Sequence, residues 1–505
     1  MATSPRSDEG DRAAPGPAGG GPPGPARAAR LPEVIQGGMG VAVSGWRLAS
    51  AVAAAGQLGV VSGVALDAVL ARRLQRGDPG GDARRALGQL PLPGVAERIL
   101  RRYFVPGGIG AGQPFRPIPR LGLRPSTAGT DLAVAGNFVE AYLAREGHGG
   151  LVGINYLEKV QLATPAAVYG AMLAGVDYVL MGAGIPVEIP ALLDSLAAGG
   201  PGELTVTVAG APAGTRHTVR IDPRALFGEV PATLARPRFL AIVSSAVLAG
   251  YLARSPASTP DGFVLEGPGA GGHSAPPRGR LRLDAQDEPV YGPRDEIDLA
   301  KVAALGLPFW LAGGQAGPGL LTRARSAGAA GIQVGTAFAL CRESGIEAGL
   351  RGRLVDEALA GTLAIRNEPY SSPTGFPFKV AQLSGTLADD QVYAARTRLC
   401  DLGYLRAPYQ RADDRIGYRC PAEPVETYLR KGGAIEDTIG RRCLCNGLTA
   451  TIGLAQRRTG EPVEPPLVTL GQDLSFLPGL VAAVGTSFGA ADVVAYLLRA
   501  VEDNS

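Results

Sequence analysis

The chain has 505 residues, of which 46% are hydrophobic and 19% charged, so it is long enough to bury one large core or two ordinary ones. Its 49 basic and 46 acidic residues give a formal net charge of +3, which indicates neither a nucleic acid nor an anionic membrane as a partner. Gly and Arg interrupt the apolar stretches well before the roughly 20 residues that a membrane-spanning helix needs, so no span is predicted.

Residues 1–30 are rich in Gly, Pro and Ala and have no apolar segment typical of a signal peptide, so we predict a disordered N-terminal tail. The odd number of cysteines and the missing secretion signal favour reduced thiols and a cytoplasmic protein. No C-x2-C pair is present, and buried thiols are a simpler prediction than a zinc site, so no metal is expected. The five cysteines are Cys341, Cys400, Cys420, Cys443 and Cys445.

Eight short apolar runs, each four to six residues long, predict eight β-strands. They do not alternate with polar residues, which is typical of parallel strands buried on both faces. Helix-like segments lie between them, and eight such units predict an α/β protein with a (β/α)8 TIM barrel over residues 31–340. The runs are 34–38, 58–63, 151–155, 178–183, 240–245, 262–267, 309–314 and 331–336.

Three further segments do not fit the strand–helix repeat. Residues 64–150 form an insertion after the second strand, and residues 203–221 resemble a hairpin. Residues 341–505 are predicted to be a mostly helical C-terminal extension that packs on the barrel as a lid. Within it, the Pro- and Gly-rich "YSSPTGFPFKV" at 370–380 predicts an irregular loop, in which Lys379 either meets an anionic ligand or is a surface lysine.

Small residues gather where the predicted strands end, and in such barrels the site lies at the C-terminal ends of the strands. Gly313-Gly314 and Gly335-Thr336 follow strands seven and eight. Bare glycine lets backbone N–H groups approach a ligand, and these two loops often bind phosphate in barrels. A phosphate site is therefore predicted there, although glycine also serves ordinary tight turns.

The segment "VLEGPGAGGHSAPPRG", residues 264–279, contains glycines in G-x-G-x-x-G spacing. A dinucleotide-binding turn would lead into a helix, but Pro276-Pro277 follows almost at once and cannot lie inside one. The spacing is therefore accidental, and the loop needs its glycines for another reason. It ends in His273, one of only three histidines in the chain.

Four motifs in this order resemble nitronate monooxygenases: "IQGGMG" (35–40), "LEGPGAGGH" (265–273), "AGGQA" (312–316) and "QVGTAF" (333–338). The resemblance spans about residues 31 to 475, and over that span the chain is similar to the long bacterial form of the family. It implies an FMN-dependent (β/α)8 enzyme that oxidises alkyl nitronates with O2 to a carbonyl compound and nitrite.

The resemblance also implies individual roles. His273 would be catalytic, either taking a proton from a neutral nitroalkane or holding the nitro oxygens. Lys379 is a weaker candidate for a substrate or lid contact. The residues implied to bind the cofactor are Gly38, Met39, Asn155, Ser245, Glu266, Gly271, Gly272, Gly313, Gly314, Gly335 and Thr336.

Two alternatives stay open from the sequence. The same Gly-Gly-His loop occurs in flavin-dependent reductases that use NAD(P)H to reduce enoyl thioesters or quinones, in lipid or polyketide synthesis. A barrel that has lost its cofactor would instead serve as an assembly subunit. The expected partners are a small-molecule substrate and O2, with NAD(P)H and a homodimer left open.

Overall fold

All eight predicted runs form β-strands in a computed structural model, which describes residues 31–499. The strands of that part of the chain are β1 (Val34–Gln36), β2 (Gly59–Ser62), β3 (Val152–Leu157), β4 (Tyr178–Gly182), β5 (Gly202–Val206), β6 (His217–Ile221), β7 (Arg238–Val243), β8 (Gly262–Glu266), β9 (Phe309–Ala312), β10 (Gly331–Val334), β11 (Ile365–Glu368), β12 (Phe378–Ala381), β13 (Ala407–Gln410) and β14 (Ile416–Arg419).

Helices separate the strands and fill the insertion and the C-terminal region. Over the same residues they are α1 (Trp46–Ala54), α2 (Leu66–Gln75), α3 (Asp82–Leu87), α4 (Val95–Tyr103), α5 (Thr127–Arg145), α6 (Thr164–Leu173), α7 (Ile189–Ala197), α8 (Pro223–Phe227), α9 (Ala246–Leu252), α10 (Leu299–Ala303), α11 (Leu320–Ser326), α12 (Thr336–Ala339), α13 (Ala348–Leu359), α14 (Asp390–Ala395), α15 (Val425–Arg430), α16 (Leu444–Thr451), α17 (Phe476–Val484) and α18 (Ala490–Leu497).

Eight parallel strands make a barrel in the order β1–β10–β9–β8–β7–β4–β3–β2. Its seam lies between β1 and the residue before β2. There the Gln36 N–H donates to the Leu58 carbonyl at 3.0 Å, and the Leu58 N–H donates to the Val34 carbonyl at 3.1 Å. These bonds bring the first and last strands of the sheet together, and the predicted (β/α)8 class is confirmed.

The insertion after β2 contains α2 to α5, and α5 is its longest helix. The Ser126 hydroxyl caps α5 by accepting a hydrogen bond from the Gly129 N–H at 3.2 Å. A Cβ at Gly170 of α6 would lie 2.1 Å from the Val134 carbonyl oxygen of α5. Glycine therefore lets these two helices pack backbone to backbone, which joins the insertion to the barrel wall.

The hairpin predicted at 203–221 is present as the antiparallel pair β5–β6. The C-terminal region is less purely helical than predicted, because β11–β12 and β13–β14 form two further antiparallel pairs. These four strands have only four residues each, too few to show a periodic pattern. No helix within residues 31–499 has both the length and the apolar character to cross a bilayer. The predicted tail, residues 1–30, lies outside the described residues.

Candidate active site

A cavity of about 230 Å³ opens at the C-terminal ends of the barrel strands. Besides the predicted residues, its wall includes parts of the C-terminal region such as Thr469, Gly471 and Asp473. Ser245 and Lys379 are not in the lining. The predicted residues that the cavity brings together are Gly38, Met39, Asn155, Glu266, Gly271, Gly272, His273, Gly313, Gly314, Gly335 and Thr336.

The chain turns at two glycine corners, which adjoin each other: Gly313-Gly314 after β9 and Gly335-Thr336 after β10. Ala312 pairs with Gln333 across β9 and β10, so the chains of both strands turn away side by side. Gly313 and Gly314 have φ of +89° and +66°, a conformation that side-chain-bearing residues rarely adopt. Within residues 31–499 the N–H groups of Gly314, Gly335 and Thr336 donate to no backbone carbonyl. Unpaired N–H groups facing a cavity suit an anion.

Residues 469–473 close one side of this corner, a contribution that the spacing of motifs did not predict. The Gly471 N–H donates to the Thr336 hydroxyl at 2.8 Å, and the Gly272 N–H donates to the Thr469 hydroxyl at 2.9 Å. A Cβ at Gly271 would lie 2.9 Å from the Gly471 nitrogen. The glycine at 271 is therefore needed for packing of the loop against the C-terminal region as much as for a ligand.

The carboxylate of Asp473 opposes an anion at this corner. Its Oδ2 atom lies 3.7 Å from the position that a Cβ of residue 314 would take. Its Oδ1 atom accepts hydrogen bonds from the N–H and hydroxyl of Ser475, at 2.9 and 2.6 Å. The carboxylate is thus held beside the unpaired N–H groups and weakens the positive potential there.

Buried polar side chains fix the loop after β1. The Gln36 amide accepts from the Val60 N–H at 2.9 Å and donates to the Ser44 hydroxyl at 2.8 Å. Ser44 in turn accepts from the Met39 N–H at 2.9 Å. A Cβ at Gly38 would lie 2.3 Å from the Asn155 Cβ, so only glycine fits between this loop and β3. The loop is therefore held in place by buried contacts within the chain itself.

His273 lies where the loop after β8 meets the C-terminal region. Its backbone bridges to Phe378 of β12, and its ring packs edge-on against the Phe378 ring with centroids 4.8 Å apart. Its Nε2 atom lies 2.7 Å from the Ser372 hydroxyl. Burial lowers the pKa of His273 to about 4, so the ring is neutral at pH 7. A neutral ring cannot hold nitro oxygens as a cation, but it can accept a proton.

Glu266 lines the cavity, and the charge of Lys379, on β12, acts on its carboxyl group. Burial raises the pKa of Glu266 to about 7, against the lowering effect of the Lys379 charge. Lys379 is fully buried, and burial lowers its pKa to about 8. The Lys379 ammonium donates to the Pro268 carbonyl at 2.6 Å. Lys379 is thus neither a surface lysine nor part of the cavity wall; it ties β12 to the loop after β8.

Ser245, predicted as a flavin contact, has a different position. Its hydroxyl accepts from the Leu248 N–H at 3.0 Å and caps α9.

Four cysteines with free thiols line a separate small cavity beside Pro373: Cys400, Cys420, Cys443 and Cys445. Within residues 31–499 no group of three or more His, Cys, Asp or Glu side chains is arranged to hold a metal ion.

The barrel, with a cavity at the C-terminal ends of its strands, has the arrangement in which (β/α)8 enzymes hold their ligands. Residues 237–370 match the family model described as nitronate monooxygenase, a span that includes His273 and both glycine corners. Over this span the match bears out the resemblance, and it supports a flavin-dependent oxidoreductase that acts on a small molecule.

Solved structures similar to this chain share little sequence with it. FabK from Thermotoga maritima is 15% identical, with 92% of this chain and 91% of that chain covered and a TM-score of 0.43. Nitroalkane oxidase from Streptomyces ansochromogenes is 16% identical, with 92% and 94% covered and a TM-score of 0.41. The enoyl reductase domain of MlnA from Bacillus amyloliquefaciens is 11% identical, with 72% and 66% covered and a TM-score of 0.37. Among curated proteins nothing matches.

Proposed function

We propose that the protein uses FMN to oxidise alkyl nitronates with O2, giving a carbonyl compound and nitrite. One observation carries the proposal. Unpaired N–H groups at Gly314, Gly335 and Thr336 share a cavity with a neutral imidazole, His273. The first set suits the phosphate of a flavin mononucleotide, and the imidazole suits proton transfer at a carbon acid.

The chain's own residues fit this cofactor. The N–H groups of Gly314, Gly335 and Thr336 would hold its phosphate, while Met39 and Asn155 line another part of the same cavity. Bound FMN would supply electron transfer from the substrate to O2. Glycines 38 and 271 keep the surrounding loops close-packed without side chains that would fill the space.

His273 would give the enzyme access to neutral nitroalkanes as well as nitronates. Its neutral ring would take the proton from Cα, and the electron pair of the broken C–H bond would move into the nitro group. The product of that step is the nitronate itself. A preformed nitronate has already lost this proton, so the step is needed only for the neutral substrate.

Glu266 favours a second candidate function, the reduction of an enoyl thioester with NAD(P)H. Such a reduction needs a proton donor beside the cofactor at neutral pH. Glu266 lines the cavity, and burial raises its pKa to about 7, so a large fraction of its carboxyl groups is protonated there. Nitronate oxidation makes no use of that acid.

Anaerobic reduction of the purified protein separates the two functions. We expect the flavin absorbance to bleach with an alkyl nitronate and to persist with NADH or NADPH. Fast bleaching by NAD(P)H, followed by reoxidation with an enoyl thioester, would instead establish the reductase. Protein that is isolated without flavin and binds no added FMN would overturn both functions.

A further inference from the structure

Ser372 is a buried hydroxyl that contacts the ring of His273 from the C-terminal region. It has no solvent exposure, and its Oγ atom lies 2.7 Å from His273 Nε2. Ninety-nine residues separate the two positions along the chain. The contact exists because the loop before β12 folds back over the loop after β8, where the Ser274 N–H donates to the Pro377 carbonyl at 3.0 Å.

The other hydrogen bonds of Ser372 are compatible with a hydroxyl proton directed at Thr374. Its Oγ atom accepts from the Thr374 N–H at 3.2 Å and lies 2.8 Å from the Thr374 hydroxyl. The Thr374 hydroxyl accepts from the Phe376 N–H at 3.3 Å. When the Ser372 hydroxyl donates to Thr374, one of its two lone pairs takes the Thr374 N–H and the other is left for His273. Every hydrogen-bonding position of Ser372 is then used once.

His273 has only one ring nitrogen bound in this way. Nδ1 has no hydrogen-bond partner within residues 31–499, while Nε2 bonds to Ser372. His273 also lines the cavity. A base needs a lone pair directed at its substrate, and a neutral imidazole has one such nitrogen, chosen by the hydrogen bond at the other.

We propose that Ser372 is a positioning residue, which accepts the Nε2 proton of His273 and so keeps Nδ1 unprotonated as the base. The inference rests on the proposed function for its chemistry, but the arrangement itself exists without a substrate. In the proton step, the Cα–H bond breaks, Nδ1 gains the proton, and the C–H electron pair enters the nitro group. Ser372 then accepts from the imidazolium Nε2–H without moving, since that bond already exists.

The chain offers a matched control beside Ser372. Ser371 is equally buried, at 1% exposure against 0%, and lies in the same loop. Its hydroxyl donates to Glu368 and accepts from the Arg442 guanidinium at 2.7 Å, and its hydrogen bonds within residues 31–499 do not include His273. Ser371→Ala therefore tests the cost of removing a buried hydroxyl from the loop without touching the imidazole.

Nitrogen-15 NMR of the full chain labelled at histidine tests the arrangement without any reaction. Only His148, His217 and His273 contribute signals, and His273→Asn identifies the third. We expect the wild type and Ser371→Ala to show His273 as the neutral Nε2–H tautomer. Ser372→Ala should draw the two ring nitrogen shifts toward each other, because both tautomers become populated. A wild-type Nδ1–H tautomer, or unchanged shifts in Ser372→Ala, would overturn the inference.

Kinetics test the consequence. With a neutral nitroalkane, kcat/KM of Ser372→Ala should fall about 10-fold below that of Ser371→Ala, since the base loses its fixed orientation. With the preformed nitronate the two variants should agree within about twofold, and Ser372→Thr should restore most of the loss, because it returns the hydroxyl. Equal rates of the two alanine variants on both substrates would overturn the positioning role. If the wild type oxidises no nitronate, the proposed function fails, and the NMR result still decides the role of Ser372.

Discussion

Two parts of the cavity are built by different means. At the glycine corners the barrel contributes backbone N–H groups of Gly314, Gly335 and Thr336. The His273 ring instead depends on side chains and strand pairing from the C-terminal region, chiefly Ser372 and β12. The first part suits an anion, whereas the second depends on one particular side chain.

The difference separates binding from reaction. Backbone N–H groups at fixed strand ends need no proton transfer and no particular side chain, so they suit a cofactor that stays bound. A buried neutral imidazole has to be oriented by its neighbours, and that orientation comes from outside the barrel. Substitutions at the glycine corners should therefore change cofactor affinity, whereas substitutions around His273 should change the reaction rate.

The largest effect is expected at the glycine corner. Gly314→Asp places a carboxylate beside the cofactor phosphate, and FMN affinity should fall about 100-fold or more through charge repulsion at short range. Gly314→Asn is the matched control, because asparagine has the same shape without the charge and tolerates a positive φ. Its affinity should fall only about tenfold, for steric reasons alone. Flavin fluorescence titration measures both, and full FMN occupancy in Gly314→Asp would refute the phosphate position.

His273→Ala should leave FMN bound and impair the reaction. Turnover of a neutral nitroalkane should fall about 100- to 1,000-fold, because the base is lost, while turnover of the preformed nitronate changes only severalfold. In the wild type, the protonation of His273 should reduce nitroalkane turnover only as the pH falls toward about 4, because burial lowers its pKa. Steady-state oxygen consumption measures the turnover of each substrate and its dependence on pH. Equal, small losses on the two substrates would remove His273 from the reaction.

Asp473→Asn should strengthen the glycine corner. The change removes the negative charge near Gly314 yet keeps an oxygen for the Ser475 N–H and hydroxyl. FMN affinity should rise about 3- to 10-fold, as expected for the removal of one partly screened repulsion. The FMN dissociation constant of both proteins is measured at low and at high salt, and the gain in affinity should be smaller at high salt. Weaker binding would show that Asp473 contacts the cofactor favourably instead.

The smallest effect concerns Glu266 and stability. Its folded pKa, about 7, lies above the unfolded value, so the folded state binds the extra proton and stability is lost as the pH rises from about 4.5 to 7. Glu266→Gln should remove that loss, and its free energy of unfolding relative to wild type should rise over this range by about 1 kcal/mol. Urea unfolding at several pH values measures it, with the exposed Glu97→Gln as control. A pH-independent difference would contradict the raised pKa.

The sequence predicted the barrel because buried parallel strands have a simple sequence pattern. Each strand is a short apolar run that ends in small residues, and eight such runs with intervening helices allow few other folds. The same pattern predicted that the two glycine corners lie close together, since adjacent strands end side by side. The hairpin β5–β6 was also predicted, because its strands have five residues each and a Gly- and Pro-containing turn between them.

The side chains from the C-terminal region were beyond such a prediction. Ser372 and Thr469 lie 99 and 197 residues from their partners in the loop after β8, and no periodic pattern links such distant positions. The alternatives for Lys379 both missed a buried lysine bound to a backbone carbonyl, because burial of a charge depends on neighbours that only the fold supplies. Ser245 caps α9 and is not among the residues that line the cavity, because a serine at a strand end also makes a good helix cap.

The closure of the pocket by residues 469–473 has a consequence for biosynthesis. All eight barrel strands are complete by residue 334, but the wall beside Thr336 needs Gly471, which lies 135 residues further along the chain. A ribosome must therefore synthesise the chain through residue 471 before the cavity is complete. Cofactor capture then becomes a late event of maturation, and a chain cut short before Thr469 would build the cylinder yet leave its rim unfinished.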